Sequence, residues 1–171
     1  MTDSEWILGL YRLRSVSLYV VLNSTINSLL PLCVFSYPGT KVCFASSADT
    51  PLAEKIGRKT LTLLEVVPGV TVWDLVVGRD WNGDDINQIG RQPPLSANKS
   101  QTHFPILREL TKIRYDRMLF FDDCQWGDHC GQVERACKDD GRSVVTVRTP
   151  FGLGVDEWAE GLSKYAKLYQ R

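Results

Sequence analysis

The chain has 171 residues, which is enough for one domain with a substantial core, and nothing in it indicates a second domain. Its 20 basic and 20 acidic residues leave no net charge, and no dense run of Lys or Arg occurs, so the composition argues against a nucleic-acid-binding protein. Five cysteines without regular spacing are typical of free thiols in a reducing compartment, so we expect a cytoplasmic protein.

Residues 1–36 are atypical. No charged residue occurs from Ser15 to Thr40, a layout that a signal or membrane anchor could share. Polar side chains interrupt the apolar ones, which favours a poorly specified leader, or a lone strand around Leu18 to Leu22, over an anchor. Leu29 to Phe35 is a second candidate for a buried segment. A turn at Tyr37-Pro38-Gly39 then separates this segment from the main domain, which we place at residues 37–171.

The pattern becomes regular at Lys41–Ala45, which predicts a short apolar strand. Pro51 fits the first turn of a helix that runs to about Leu64, with Asp49 or Thr50 as its N-cap. A strand followed directly by a capped helix is a typical unit of a parallel sheet.

The middle of the chain predicts a strand, a loop and a helix. Trp73–Val77 is a buried-strand candidate, and residues 82–94 form a polar, Gly- and Pro-containing loop in which we expect no core. A helix follows Lys99–Thr102. Its predicted apolar face consists of Phe104, Leu107, Leu110 and Ile113.

The clearest strand signal is Met118–Phe121, which runs straight into Asp122 and Asp123. An uninterrupted apolar run bounded by charges is typical of a parallel strand that is buried on both faces. Ligands bind at the carboxyl ends of such strands. Adjacent carboxylates repel each other, so a proton, solvent or a cation must offset their charge, and magnesium suits oxygen ligands best.

The remaining residues predict a helix, a strand and a final helix. The first helix runs from about Asp128 to Lys138 with Gly141 as its C-terminal stop, and Val144–Val147 is the strand. The final helix has an apolar face of Trp158, Leu162, Tyr165 and Tyr169. From Lys41 onward strands alternate with helices, which predicts an α/β fold with a doubly wound parallel sheet covered on both faces.

Three predicted junctions supply complementary polar groups. Ser46 offers a hydroxyl beside the N-terminus of a helix, where anions bind, and Lys99 offers a positive charge. Asp122, Asp123 and Asp128 offer oxygen ligands for a metal ion. Phosphoryl transfer needs an anion-binding site, a positive charge that balances the phosphate and a magnesium site, and these residues together offer all three.

Three short motifs, taken in order, resemble the haloacid dehalogenase superfamily of phosphatases. They are Ala45-Ser46 at a strand end, Lys99 followed by Thr102-His103-Phe104, and Phe120-Phe121-Asp122-Asp123. The chain is most similar to the eukaryotic magnesium-dependent phosphatase branch, from about Lys41 to Tyr169. The resemblance implies a three-layer Rossmann-like sandwich without a large cap domain. It also implies Mg²⁺-dependent hydrolysis of a phosphate monoester through an aspartyl-phosphate, on a phosphoprotein carrying phosphotyrosine or on a small phosphorylated sugar derivative.

The resemblance also implies roles for individual residues. Ser46, Ser47 and Lys99 would bind the phosphoryl group, and Asp123 would hold magnesium with Asp122 and Asp128 nearby. The branch usually carries an Arg at the position of Ser47, where a second bidentate phosphate contact is therefore missing.

The largest departure from the family concerns its nucleophile. The family's first strand ends in D-x-D-x-T, but this chain has no Asp or Glu between Glu5 and Asp49. In the segment that most nearly matches the motif, Val21 occupies the position of the nucleophile and Asn23 that of the general acid–base residue. Neither side chain can perform that chemistry. We therefore expect an altered or missing first strand and low or absent turnover. Either the first segment is not the family's native one, which its composition favours, or the protein is a relative that has lost activity.

Two function classes follow from this departure. The first is a magnesium-dependent phosphatase, and the second is a non-catalytic binding or regulatory module that keeps the fold. Substrate identity and oligomeric state stay open. A zinc site is disfavoured because its four candidate ligands contain no C-x-x-C spacing. Those candidates are Cys124, His129, Cys130 and Cys137.

Three further signals have simple structural interpretations. For His103 we favour a surface histidine over a phosphate-side residue, and for Asp139-Asp140 a solvated helix end. Trp126, close to the acids, could equally form the wall of a pocket or cover the core.

Overall fold

The computed structural model describes residues 19–22, 41–46, 50–76, 86–89 and 97–169. Within these ranges the elements are β1 (Tyr19–Leu22), β2 (Lys41–Ser46), α1 (Pro51–Leu61), β3 (Glu65–Val67), β4 (Val70–Thr71), α2 (Val72–Val76), β5 (Gln88–Ile89), α3 (His103–Thr111), β6 (Met118–Asp122), α4 (His129–Ala136), β7 (Lys138–Asp139), β8 (Arg142–Ser143), β9 (Val145–Arg148) and α5 (Val155–Leu168). A short 3-10 helix, Tyr115–Arg117, precedes β6.

Five strands form a parallel sheet in the order β5-β2-β1-β6-β9. From β1 the chain builds outward through β2 and β5, and it then returns to the other side of β1 to add β6 and β9. This reversal confirms the predicted α/β class and parallel sheet. β1 corresponds to the strand predicted around Leu18 to Leu22, but it is not alone: its last residue, Leu22, lies opposite both Phe44 and Phe121.

The buried strand residues alternate between two hydrophobic clusters. In β6, Leu119 and Phe121 belong to the cluster that includes residues of α1, α2 and α5, whereas Met118 and Phe120 belong to the cluster that includes residues of α3 and α4. Met118–Phe121 of β6 are buried, as their uninterrupted apolar sequence predicted, and Asp122 at the end of the strand is buried as well. The sheet therefore contributes to the core on both of its faces.

Several predicted elements are confirmed. β2 covers the predicted strand, and α1 begins at Pro51 after an N-cap at Thr50, whose side chain accepts from Ala53 N at 3.0 Å. α1 ends at Leu61, before the predicted Leu64. The helix at residues 103–111, the strand at 145–148 and the final helix also occur, although Leu110 of the predicted apolar face is exposed.

The predicted strand Trp73–Val77 is wrong, because residues 72–76 form helix α2. The β-branched residues misled the prediction. A capping box starts the helix: Thr71 N donates to Asp74 Oδ2 at 2.8 Å, and Asp74 N donates to Thr71 Oγ1 at 3.2 Å. The sequence Thr-x-x-Asp carries this signal directly.

The expectation that residues 82–94 contain no core is wrong for the described residues 86–89. Ile86, Asn87 and Ile89 are buried, and β5 forms the edge of the sheet. Asn87 Oδ1 accepts a hydrogen bond from Phe44 N at 2.8 Å, so this polar side chain completes the backbone hydrogen bonding of β2.

The predicted helix end around Gly141 is also wrong. α4 ends at Ala136, and a hairpin of β7 and β8 follows, with Asp140 (φ 50°) and Gly141 (φ 78°) in its turn. Asp139 is not a solvated helix end, because its carboxylate accepts from Arg108 Nη2 at 2.7 Å and from Tyr115 N at 2.6 Å.

Parts of the sequence interpretation lie outside the described residues. These parts are the segment Leu29 to Phe35, the turn at Tyr37-Pro38-Gly39 and the acid–base candidate Asn23. Among the helices in the described ranges, none has the length and apolar character that crossing a membrane requires.

Candidate active site

The candidate site lies at the carboxyl edge of the parallel sheet, where β2 ends at Ser46 and β6 ends at Asp122. Both strands pair with β1, so the sheet places β1 between them. Ser46 is half-buried, while Asp122 is fully buried. This edge flanks the point where the strand order reverses, which is the usual ligand position in open α/β sheets.

A buried ion pair joins Lys99 to Asp122. Lys99 Nζ lies 3.0 Å from Asp122 Oδ2, and the two side chains are only 1% and 2% exposed. A buried charge is strongly unfavourable unless it is paired and hydrogen-bonded. The sequence analysis named both residues as candidates for different roles, and the structure shows that they pair directly with each other.

The loop before α3 brings Lys99 to this position. Asn98 Oδ1 accepts from Ser100 N at 3.1 Å and from Ser100 Oγ at 2.7 Å, which is a local side-chain turn. Phe104 N donates to the carbonyl oxygen of Lys99 at 3.0 Å. These bonds fix the backbone on either side of Lys99, so its long side chain is aimed at the end of β6.

Asp122 is held by further contacts. Its Oδ1 accepts from Cys124 N at 2.7 Å, while its backbone carbonyl accepts from Thr149 N at 2.9 Å. Both carboxylate oxygens of Asp122 are therefore hydrogen-bonded within the site.

His129 is the third member of this cluster, and the sequence did not single it out for this role. Its Nδ1 lies 3.0 Å from Lys99 Nζ and 3.2 Å from Asp122 Oδ2. An ammonium group only donates, so Nδ1 must accept, and the ring proton must lie on Nε2. The carboxylate and the imidazole are then two acceptors on one ammonium, and their 3.2 Å approach is not an ion pair. The place of His129 at the start of the helix after the acids was the available signal.

Asp122, Cys124 and His129 could also hold a metal ion, since their ligand atoms all lie within 4.8 Å of one another. Sulfur, nitrogen and oxygen donors together suit a softer ion than magnesium. However, the Lys99 ammonium already contacts two of the three ligands and acts as the cation there. Cys130 and Cys137 are buried in the core and do not join this group, so the four-residue zinc alternative does not form among the described residues.

The predicted magnesium ligands differ in their surroundings. Both oxygens of Asp122 are already used, and Asp128 is the N-cap of α4, with Oδ1 accepting from Gly131 N at 2.9 Å. That hydrogen bond, followed by one from Arg135, lowers the pKa of Asp128. Asp123 is half-buried and follows β6 directly. Magnesium commonly takes one or two protein carboxylates besides water and substrate phosphate, so a magnesium site at these carboxylates stays a prediction.

Ser46, the predicted phosphate-binding residue at the end of β2, contacts a histidine of α3. Ser46 has its carbonyl oxygen 3.1 Å from Nε2 of His103, which is completely buried. The expectation that His103 is a surface residue is therefore wrong. Ser47, the other predicted phosphate ligand on this strand end, lies outside the described residues.

Two aromatic side chains project from the loops beside the site. Trp126 is 95% exposed and Phe151 is 97% exposed. The alternative in which Trp126 covers the core is therefore wrong, while its role as a pocket wall stays a prediction. Gln125 Nε2 donates to the carbonyl oxygen of Pro150 at 3.0 Å, so the residues that precede the two aromatic residues are joined directly.

The chain matches a known protein family over most of its length. A family model described as Acid Phosphatase matches residues 13–168, which include every element from β1 to α5. No curated protein and no solved structure matched the chain. Ser46, Lys99 and Asp122 all fall inside the matched range.

Proposed function

Because the chain belongs to the acid phosphatase family, we propose that it is a phosphatase-type hydrolase that binds phosphate monoesters with Mg²⁺ and turns them over slowly or not at all. The observation that supports this most is the buried pair of Lys99 and Asp122 at the carboxyl edge of the sheet. Placing an ion pair in the interior is costly, and groups of this kind occur where a site requires charge.

Different residues of the site would bind the phosphoryl group and the magnesium ion. The Ser46 hydroxyl and the Lys99 ammonium would contact the phosphoryl oxygens, and magnesium held by Asp123 would neutralise further negative charge on them. Asp122 already balances the charge of Lys99, so an incoming phosphate must share that ammonium with a fixed carboxylate. We therefore expect weaker phosphate binding than an unpaired lysine would give.

The first strand supplies the argument for weak turnover. β1 ends at Leu22, and Val21 lies within the strand, opposite Cys43 and Phe120. Neither residue can attack phosphorus, and the sequence from 6 to 48 contains no carboxylate. A covalent aspartyl-phosphate needs an Asp at this edge, so the haloacid dehalogenase mechanism lacks its nucleophile in this chain.

Finer features belong to the same proposal. They are membership of the haloacid dehalogenase superfamily with a three-layer sandwich and no large cap, a phosphotyrosine or small sugar phosphate as substrate, and a cytoplasmic location. The core clusters on both faces of the sheet support the layered arrangement. Free thiols at the four cysteines of the described ranges fit a reducing compartment.

Binding and turnover measurements test the proposal. The purified chain is titrated with inorganic phosphate in a calorimeter, with and without Mg²⁺, and it is assayed with p-nitrophenyl phosphate. We expect measurable phosphate binding that Mg²⁺ strengthens and that Asp123→Ala weakens, with turnover close to background. Lys164→Met is a matched control, because Lys164 is a half-exposed lysine paired with Glu160. Robust turnover that Asp123→Ala abolishes would contradict the expectation of slow or absent turnover. Absence of phosphate binding would contradict the proposed function as a whole.

A non-catalytic binding or regulatory module is the second candidate. The absence of carboxylates between Glu5 and Asp49 favours this candidate, since the chain has a polar site without the family's nucleophile. It predicts that ligand binding is independent of magnesium. Equal phosphate affinity with Mg²⁺ and with a chelator would support this module over the magnesium-dependent phosphatase.

A further inference from the structure

His103 is completely buried although it is the first residue of α3, and both of its ring nitrogens have partners. Nε2 lies 3.1 Å from the carbonyl oxygen of Ser46, and Nδ1 lies 2.9 Å from Thr102 Oγ1. A carbonyl oxygen only accepts, so Nε2 carries a proton and donates it to β2. Nδ1 faces the Thr102 hydroxyl, whose oxygen also lies 3.4 Å from the Asn98 carbonyl oxygen.

Residues 99–103 form one turn that reaches two strands. At one end, Lys99 Nζ lies 3.0 Å from Asp122 Oδ2 on β6, and at the other end His103 bonds to Ser46 on β2. The bond from Phe104 N to the Lys99 carbonyl, 3.0 Å long, closes the turn. Since β1 lies between β2 and β6, the turn bridges two strand spacings, roughly 10 Å.

We propose that His103 is a positioning residue, which fixes the distance between Ser46 and the ammonium of Lys99. The inference rests on the proposed function, in which these two groups hold a phosphoryl group. His103 does not itself touch the ligand. A hydrogen bond weakens steeply when its donor moves or turns away, so a loosened strand end would lose its contact with phosphate even while the protein stays folded.

Substitutions at His103 separate positioning from simple packing. His103→Leu removes both hydrogen bonds, whereas His103→Gln keeps an N–H that can reach the Ser46 carbonyl. In the full chain, titrated with inorganic phosphate and Mg²⁺, we expect His103→Leu to raise Kd about tenfold. We expect His103→Gln to stay within about threefold of wild type. Leu107→Ala is the matched control, because Leu107 is a buried apolar residue of the same helix. It should lower Tm and leave Kd unchanged.

A double-mutant cycle with Ser46→Ala provides the sharper measurement. In the wild-type background Ser46→Ala should weaken phosphate binding, and in the His103→Leu background it should have little further effect. Additive effects, or a phosphate affinity unchanged by His103→Leu, would overturn the inference and leave the proposed function standing. If wild type itself binds no phosphate, the proposed function fails and the inference falls with it.

A folding defect in His103→Leu would not end the test. Thr102→Val removes the hydroxyl that contacts Nδ1 of the ring, while keeping His103 and its bond to Ser46. This variant should weaken phosphate binding by about threefold, because the ring loses its contact at Nδ1. Wild-type affinity in Thr102→Val together with wild-type affinity in His103→Asn, whose side chain is too short to replace Nε2, would overturn the positioning role.

Discussion

The ammonium of Lys99 and the carboxylate of Asp122 lie 3.0 Å apart, and both are almost completely removed from water. Each charge is tolerated only because the other is present. Removing one partner of such a pair leaves an uncompensated buried charge, whereas replacing both with apolar residues is often close to neutral. The pair therefore matters for stability even in a chain with little turnover.

We expect Asp122→Asn to lower the free energy of unfolding by about 3 kcal/mol or more, because Lys99 would stay charged and lose its counter-ion. The double variant Lys99→Met/Asp122→Leu should lie closer to wild type. Urea denaturation measures both. Glu160→Gln, which breaks the half-exposed Lys164–Glu160 pair, is the control and should change stability by about 0.5 kcal/mol at most. An Asp122→Asn variant as stable as that control would contradict the prediction.

The ring proton of His129 should lie on Nε2, because Nδ1 accepts from the Lys99 ammonium. Long-range ¹H–¹⁵N spectra of the histidine rings report this tautomer directly. His129→Asn keeps an acceptor for Lys99, so we expect it to be about 1 kcal/mol more stable than His129→Leu. A protonated Nδ1, or equal stability of the two variants, would be incompatible with this assignment.

Three buried thiols should make the protein less stable at alkaline pH. Burial raises the pKa values of Cys43, Cys130 and Cys137 from 9.0 to about 12. Above about pH 9 the unfolded chain releases these protons and the folded chain keeps them, so the free energy of unfolding falls as pH rises. From about pH 9 to about pH 10 the loss is about 1 kcal/mol for each thiol.

Denaturation curves recorded across that pH window measure the effect. Cys137→Ala should reduce the slope by one thiol's share, although it also lowers the overall stability by leaving a small cavity. Cys124→Ala is the control, because Cys124 is only half-buried. If the slope is unchanged in Cys137→Ala, buried thiols do not cause the alkaline destabilisation.

Gly161 allows α5 to pack closely on β6. A Cβ at this position would lie 2.8 Å from Phe121 Cζ and 3.2 Å from Leu119 Cδ1. Gly-to-Ala in a helix gains about 1 kcal/mol from propensity, but forced overpacking of a core costs about 1–3 kcal/mol. We therefore expect Gly161→Ala to be destabilising overall, as measured by thermal unfolding. A rise in Tm would mean that the Phe121 ring moves aside easily.

Local sequence patterns were sufficient to predict the elements whose residues are uniformly buried. Met118–Phe121 is apolar throughout and the next residue, Asp122, ends β6, so the strand followed from the sequence. α2 was mistaken for a strand because Val72, Trp73 and Val76 have high strand propensity, while the short-range capping box of Thr71 and Asp74 decided the outcome.

The contacts inside the site could not be predicted from local sequence patterns. His103 and Ser46 are 57 positions apart, and Lys99 and His129 are 30 apart. Their meeting depends on the strand order, which places β2 and β6 on either side of β1. A surface histidine and a buried bridging histidine look alike in sequence, so only the topology distinguishes them.

Three hydrogen bonds tie the segment after β6 to the segment around the end of β9: Thr149 N to the Asp122 carbonyl, Arg148 Nη2 to the Cys124 carbonyl, and Gln125 Nε2 to the Pro150 carbonyl. All three acceptors are backbone carbonyl oxygens and two of the three donors are side chains, so the coupling depends both on the path of the chain and on Gln125 and Arg148. If loops from another protein are grafted onto this one, the two segments should therefore be exchanged together as one unit. Exchanging either of them alone would leave the other without the backbone partners that shape it.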